Sequence, residues 1–197
     1  AAKKVQRALD IQQVIKGFFV DYKKERIAFA DLITGIPDEK DRKLYASVLL
    51  NRLMFIYFLQ AKGFLNNDDR EYLQTKLGES KERGDNLFYS HFLDHLFFEA
   101  FARPEPNRSE ETKRLTGKIK YLNGGLFLRH RLELTYNGKQ GNSKIEIPDE
   151  AFENLLRLDE PKGLFCRYTW TLNDIAGAND DDINPDVLGY IFEKYIN

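Results

Sequence analysis

The sequence predicts a mainly α-helical bundle with a small β-hairpin element in its C-terminal half. Long apolar stretches with helical spacing fill the first hundred residues, and shorter stretches of alternating polarity follow Leu126. The 197 residues are 42% hydrophobic and 13% aromatic, which provides enough apolar surface for a folded domain. A mainly disordered chain is therefore excluded.

Two long helices are predicted before residue 62. The first follows Asp10 as its N-cap and ends before Gly35, where glycine and the nearby proline cannot extend a helix. The second restarts at Asp38 and contains Leu44–Ala61, which is apolar nearly all round. A helix of that composition needs to be surrounded by other helices, so we expect it to form the centre of the core.

The next elements are shorter and end in a polar connection. In chain order they are a helix at 68–77, a loop at 78–85 and an aromatic-rich helix at 86–103. Residues 104–117 contain few apolar side chains and are predicted to form a loop. This loop would divide a helical core (1–103) from an α+β remainder (118–197) that packs on it.

The β element is predicted around Asn137-Gly138, a dipeptide typical of tight hairpin turns. The strands would be 126–128, 132–136 and 144–147, followed by a helix at 148–158. Asn184-Pro185 then forms an N-cap and first-turn pair for a final helix ending at Ile196.

Charge and cysteine content narrow the class of protein. The formal net charge of −1 excludes a polybasic protein, and a single cysteine, Cys166, excludes internal disulfides and multi-thiolate metal sites. No stretch of 18 apolar residues occurs, so we expect no membrane span and a cytoplasmic protein. Because the chain starts at Ala1 and its only methionine is Met54, we also expect it to be a piece of a longer polypeptide.

His91 and His95 have the i, i+4 spacing with which two imidazoles on one helical face can hold zinc. Asp94 stands where a related motif has glutamate, and the sequence does not identify a third ligand, for which Glu99, one turn further along the same face, is a candidate. Five neighbouring aromatic and leucine side chains favour two histidines on a packed helix, so no metal site is predicted here. A metal-dependent hydrolase remains a third hypothesis.

Two acidic motifs are better explained by local structure than by metal chemistry. Pro37-Asp38-Glu39-Lys40 matches a nuclease motif in letters only, since it lies at a predicted helix start without a paired strand. Asp180-Asp181-Asp182 lacks the glycine and glutamate of a calcium loop and is predicted to be a solvated turn.

A basic segment is the strongest functional signal in the chain. Six cations occur between residues 113 and 132 without any acidic residue: Lys113, Arg114, Lys118, Lys120, Arg129 and Arg131. Glycines allow a backbone to approach a phosphate closely, and cations release counterions from DNA. Lys118, Lys120, Arg129 and Arg131 are therefore candidates for phosphate contact, with Gly124 and Gly125 shaping the loop. A solvated face with a structural turn at Asn123-Gly124-Gly125 explains the pattern equally well.

The usual nucleotide, acyl-transfer and redox motifs are absent from the sequence, so no catalytic residue is predicted. Four stretches together nevertheless resemble one known family: LLNRLMFIYFLQAKGFL (49–65), NLFYSHFLDHLFFEAF (86–101), YLNGGLF (121–127) and INPDVLGYIFEKYI (183–196). They are similar to the helical connector that precedes the methyltransferase domain in type IIG restriction-modification enzymes and related adenine-specific DNA methyltransferases.

The resemblance implies a parent enzyme that methylates adenine with S-adenosylmethionine and contains a Mg²⁺-dependent nuclease. Its partners would be double-stranded DNA and the neighbouring nuclease and methyltransferase domains. The family's N/D-P-P-Y/F motif does not carry over, because Asn184-Pro185 is followed by Asp186 and Val187. The resemblance therefore implies a non-catalytic connector that positions the two domains and contacts the DNA backbone. The alternative is a stand-alone helical protein-interaction module that docks a partner through Tyr190 and Phe192.

Overall fold

Helices dominate the part of the chain described by this computed structural model, which covers residues 2–122, 124–139, 141–170, 182–183 and 189. The α-helices are α1 (Ala2–Asp31), α2 (Glu39–Ala61), α3 (Tyr72–Arg83), α4 (Glu110–Thr116), α5 (Arg131–Thr135) and α6 (Asp149–Leu156). Two π-helical segments, Phe88–Leu93 and Leu96–Ala100, form what we call the π-helical region. Short 3-10 turns occupy Glu105–Asn107, Gly125–Phe127 and Leu164–Arg167, and strands β1 (Thr169–Trp170) and β2 (Asp182–Ile183) pair in parallel. The mainly α prediction is confirmed.

Helix α2 forms the centre of the core, as predicted. The Asp38 side chain caps it by accepting a hydrogen bond from the Asp41 backbone N–H at 2.8 Å. Leu49, Leu50 and Leu53 are fully buried, and α1 packs along one side of the helix. By length and composition α2 could cross a membrane, but 67% of its most apolar window is buried inside the protein. It therefore has the burial of a core helix.

Helix α1 is longer than the sequence pattern predicts. It begins at Ala2, so Asp10 lies inside the helix and is not its N-cap. Helix α1 ends before Gly35 and Pro37, as these two residues predict. Gly35 has a φ of +84°, and a Cβ there would lie 1.9 Å from the Lys144 carbonyl oxygen, so a larger residue is excluded.

The predicted loop at residues 78–85 is wrong for residues 78–83, because α3 continues to Arg83; residues 84 and 85 are outside the helix, as predicted. Helix α3 also begins four residues later than predicted, after the left-handed residues Asn66, Asn67 and Asp68. Leu77 is buried, and Lys76 pairs with Glu79 at 2.9 Å. These contacts stabilise the last turn in spite of Gly78.

The predicted loop at 104–117 is also wrong for residues 110–116, which form α4. The Ser109 hydroxyl caps this helix by accepting a hydrogen bond from the Thr112 backbone N–H at 3.1 Å. Thr112, Leu115 and Thr116 are buried against the π-helical region. Capping and two buried threonines, not apolar content, explain the helix.

The β-hairpin has a much smaller extent than predicted. Residues 126–127 belong to a 3-10 turn and residues 132–135 to α5, so two of the three predicted strands are helical. An antiparallel bridge joins Asn137 to Lys144, and a second joins Glu146 to Thr34. A capping box at the start of α5 outweighs the alternating polarity of residues 132–136.

Helix α6 matches its prediction, and the helix predicted at 86–103 is present with a π-helical backbone. The Asp149 carboxylate accepts hydrogen bonds from the backbone N–H groups of Asn86 and Phe88, both at 3.1 Å. The predicted final helix at 184–196, with Tyr190 and Phe192, lies outside the described residues except for Gly189. Asp180 and Asp181 lie outside them as well, and Asp182 belongs to β2.

Candidate nucleic-acid interface

Of the six residues predicted to contact DNA, the four cations lie in two segments, and Gly124 and Gly125 lie between these segments. We call residues 117–122 the lysine segment, because it contains Lys118 and Lys120, and residues 128–133 the arginine segment, because it contains Arg129 and Arg131. The two segments present their charges differently.

The backbone of the lysine segment is held by other parts of the fold. Lys118 donates its backbone N–H to the Asn66 side-chain oxygen at 3.2 Å and accepts the Asn66 N–H at 3.0 Å. The buried Arg108 donates to the Ile119 carbonyl at 2.7 Å, and Leu122 donates its N–H to the Phe101 carbonyl at 2.9 Å. The backbone of the lysine segment is thus fixed at three residues, Lys118, Ile119 and Leu122.

Side chains of the lysine segment alternate between the core and the surface. Ile119 is 5% exposed, whereas Lys118, Lys120 and Tyr121 are exposed on either side of it. Within the described part of the chain, neither lysine ammonium group has an acidic partner. Two positive charges therefore stand on a fixed backbone without compensation.

The glycines beside this segment have no conformational reason to be glycine. Gly124 has an extended backbone (φ −142°, ψ 145°) that any residue adopts, and Gly125 does not have a positive φ. A Cβ at either position would meet no described atom within 4 Å. Since Asn123 lies outside the described residues, the predicted turn at 123–125 cannot be described as a whole.

Each cation of the arginine segment pairs with an acid from a distant element. The Arg129 guanidinium lies 3.1 Å from the Asp94 carboxylate and 4.0 Å from the centre of the Phe98 ring. The Arg131 guanidinium lies 2.6 Å from the Asp41 carboxylate. Both arginines remain about half exposed, so the pairs are accessible to water and screened by salt.

A buried ion pair holds the arginine segment on the core. Arg52, only 1% exposed, donates to the Glu133 carboxylate at 2.6 Å and to the Leu126 and Leu128 carbonyls at 2.9 and 2.7 Å. The Tyr45 hydroxyl also donates to Glu133, at 2.8 Å, and burial raises the pKa of Tyr45 well above its usual range. Every contact in this network orders residues 126–133.

Sequence reasoning missed this network, although one signal was present. Arg52 interrupts the most apolar stretch of the chain, and a fully buried arginine almost always has an acidic partner. The identity of that partner, Glu133, could not be read from the spacing because 81 residues separate the two.

The third histidine, His130, has a structural role at the start of α5. Its ring Nδ1 accepts a hydrogen bond from the Leu132 backbone N–H at 3.3 Å, and the His130 backbone N–H donates to the Glu133 carboxylate at 2.6 Å. Burial lowers the pKa of His130 below its usual value, which favours the neutral ring that the cap requires.

The structure brings His91 and His95 together with an acid that sequence spacing did not identify. Glu99 is held by the Thr112 and Ser109 hydroxyls at 2.5 and 3.2 Å. Glu111 of α4 instead lies beside His91, with 3.0 Å between Nε2 and Oε1. Because α4 was predicted as a loop, the sequence offered no reason to place Glu111 there.

No protein-family model matches the chain, and no solved structure matches it significantly. Over 165 residues it is 36% identical to a protein of Methanocaldococcus jannaschii named "Putative type II restriction enzyme and methyltransferase". This region covers 81% of the chain but only 12% of that relative. The chain is thus related to one segment of a restriction-modification enzyme.

Proposed function

We propose that this chain is a non-catalytic connector of a type IIG restriction-modification enzyme and that it contacts the DNA backbone through the lysine segment. In the proposed parent, S-adenosylmethionine and Mg²⁺ serve neighbouring methyltransferase and nuclease domains, and the methylated base is adenine. The relationship to a restriction enzyme and methyltransferase supports DNA as the partner.

The observation that carries the proposal is the pair of uncompensated charges on a fixed backbone. Lys118 and Lys120 are exposed, and their backbone is held by Asn66 and Arg108. A cation whose backbone is already ordered loses only side-chain freedom, and no backbone freedom, when it meets a phosphate. This arrangement favours a phosphate contact over a merely solvated surface.

The open space at Gly124 and Gly125 supports the same interpretation. Neither glycine is explained by a positive φ or by a close neighbour within the described chain. Absence of side chains there lets a bulky ligand such as a DNA strand approach the backbone. Arg129 and Arg131 would contribute less, because Asp94 and Asp41 already compensate their charges.

A fluorescence anisotropy titration with duplex DNA at several salt concentrations tests the proposal. Replacing both lysines (Lys118→Ala with Lys120→Ala) should weaken binding at least several-fold and reduce the slope of log K against log salt by about two. The reason is that each lost phosphate contact no longer releases a counterion.

The matched control replaces Lys23 and Lys24 with alanine. These lysines are also exposed but belong to α1, so the double variant changes the net charge equally. If both double variants weaken binding to the same extent, only the net charge matters and the proposed contact is wrong. DNA binding whose affinity does not change with salt concentration would contradict the proposed contact with the DNA phosphates.

A further inference from the structure

Two imidazoles and a carboxylate converge at the junction of the π-helical region and α4. One ring nitrogen of His91, one of His95 and a carboxylate oxygen of Glu111 all lie within 4.8 Å of one another. The imidazole rings are 5.1 Å apart and nearly perpendicular, with 83° between their planes. Ligands of a tetrahedral zinc ion lie about 3.4 Å apart, so small side-chain rotations would bring these three atoms to zinc distance.

The backbone that presents the histidines is unusual. His91 lies in the first π-helical segment and His95 directly precedes the second. A backbone hydrogen bond from Phe101 to Leu96, at 2.9 Å, shows the i→i+5 spacing. π-helical turns are rare and occur frequently where side chains have a functional arrangement.

Contacts on the far side of His95 fix its ring and its tautomer. With the Thr112 hydroxyl donating its proton to Glu99 at 2.5 Å, the Thr112 oxygen is left to accept from His95 Nδ1 at 3.1 Å. Nε2 then carries the free lone pair. An imidazole held through its other nitrogen, with a carboxylate behind the contact, is the usual arrangement of a metal-ligating histidine.

The cluster is also accessible to an ion. His91 and Glu111 are 34% and 51% exposed, and His95 is 18% exposed. Arg114 lies 3.9 Å from Glu111, a distance too long for a hydrogen bond and easily given up. A hydrated ion can therefore reach all three residues from the solvent.

From this geometry we infer that His91, His95 and Glu111 bind a divalent transition metal, with zinc as the ion that best fits the donor set. Two imidazole nitrogens and one carboxylate oxygen are common zinc ligands, and a water molecule would complete the tetrahedron. The bound ion would join α4 to the π-helical region and stabilise their contact. This inference does not depend on the proposed function in DNA binding.

Zinc titration of the chain, freed of metal by dialysis against a chelator, tests the site by calorimetry and by NMR of the histidine rings. Since the chain has three histidines, His130 is an internal reference away from the cluster. We expect equimolar binding, shifts of the His91 and His95 ring signals without a shift of His130, and a rise in Tm.

Matched variants separate ligation from general charge. Glu111→Gln should weaken zinc binding by at least roughly 10-fold, the loss that even outer-shell changes usually cause. Glu110→Gln removes the same charge from the neighbouring residue, which pairs with Lys113 and is outside the cluster, and should leave affinity unchanged. Equal losses in both variants, or zinc-induced shifts at all three histidines, would overturn the site. Because the NMR measurement uses the unmodified chain, it holds even if a variant fails to fold.

Discussion

The lysine and arginine segments look alike in the sequence and differ in the folded protein. Their four cations all belong to a stretch from 113 to 132 that contains no acidic residue. In the fold, Arg131 pairs with Asp41 of α2, and Arg129 pairs with Asp94, which lies between the two π-helical segments. The ammonium groups of the lysine segment have no acidic partner among the described residues. A charge run therefore identifies free charge only after the fold has brought distant acids near it.

The two segments also differ in how they are held. Backbone hydrogen bonds and the buried Arg108 fix the lysine segment, while a buried ion pair between Arg52 and Glu133 fixes the arginine segment. The buried ion pair is more sensitive to mutation, because removal of one partner leaves the other charge buried and unpaired. Three experiments use this difference.

The largest effect is expected from Arg52→Met. It leaves the Glu133 carboxylate buried at 8% exposure and removes the donors to the Leu126 and Leu128 carbonyls, so the free energy of unfolding should fall by about 3–5 kcal/mol. Urea denaturation followed by circular dichroism measures the loss.

A double variant sharpens this first experiment. Adding Glu133→Leu to Arg52→Met removes the unpaired charge and should recover part of the stability, though not all, because the two carbonyls still lack donors. If Arg52→Met alone were neutral, the buried pair would not be what orders residues 126–133.

A smaller effect is expected from freeing the arginines. Asp41→Asn with Asp94→Asn removes the acids that compensate Arg131 and Arg129, so duplex DNA should bind several-fold tighter and the salt slope should steepen by up to about two. The control is Asp31→Asn with Glu82→Gln, which changes the net charge equally at exposed residues of α1 and α3. An increase in affinity that is the same in both double variants would mean that the arginine segment takes no part in binding.

Much of the helical architecture could be predicted from the sequence, because apolar spacing and capping residues act locally. Asp38 capped α2 as expected, and the break at Gly35 occurs where glycine and proline indicate it. Helix α4 was missed for a physical reason. Its stability depends on the Ser109 cap and on hydroxyl contacts of Thr112, which apolar periodicity does not register.

Candidate sites were predictable only as far as their residues are close in sequence. The sequence pointed to Lys118 and Lys120 as DNA-contact candidates, and it drew attention to the i, i+4 pair His91 and His95 without predicting a metal site there. Glu111 was not identified, since its position beside His91 depends on how α4 packs on the π-helical region. The same limit applies to the acids that compensate Arg129 and Arg131, which come from elements far along the chain.

The smallest effect concerns pH and again involves the arginine segment. Burial lowers the pKa of His130 in the folded chain, so the unfolded chain takes up a proton first as the pH falls. The contribution of His130 to stability is therefore fully present above its unfolded pKa of about 6.5 and is lost as the pH falls through that value toward the lower folded pKa.

The physical cause is the helix cap, since a protonated Nδ1 cannot accept the Leu132 N–H. His130→Asn retains a side-chain acceptor that does not titrate and should flatten this part of the pH profile, by about 1 kcal/mol or less, the usual value of an N-cap. Urea denaturation of both chains between about pH 7.5 and pH 5 measures the difference. Parallel pH profiles would show that the cap on α5 is independent of the charge of His130. The lysine segment, held by an amide and a guanidinium that do not titrate in this range, should bind DNA without a corresponding change.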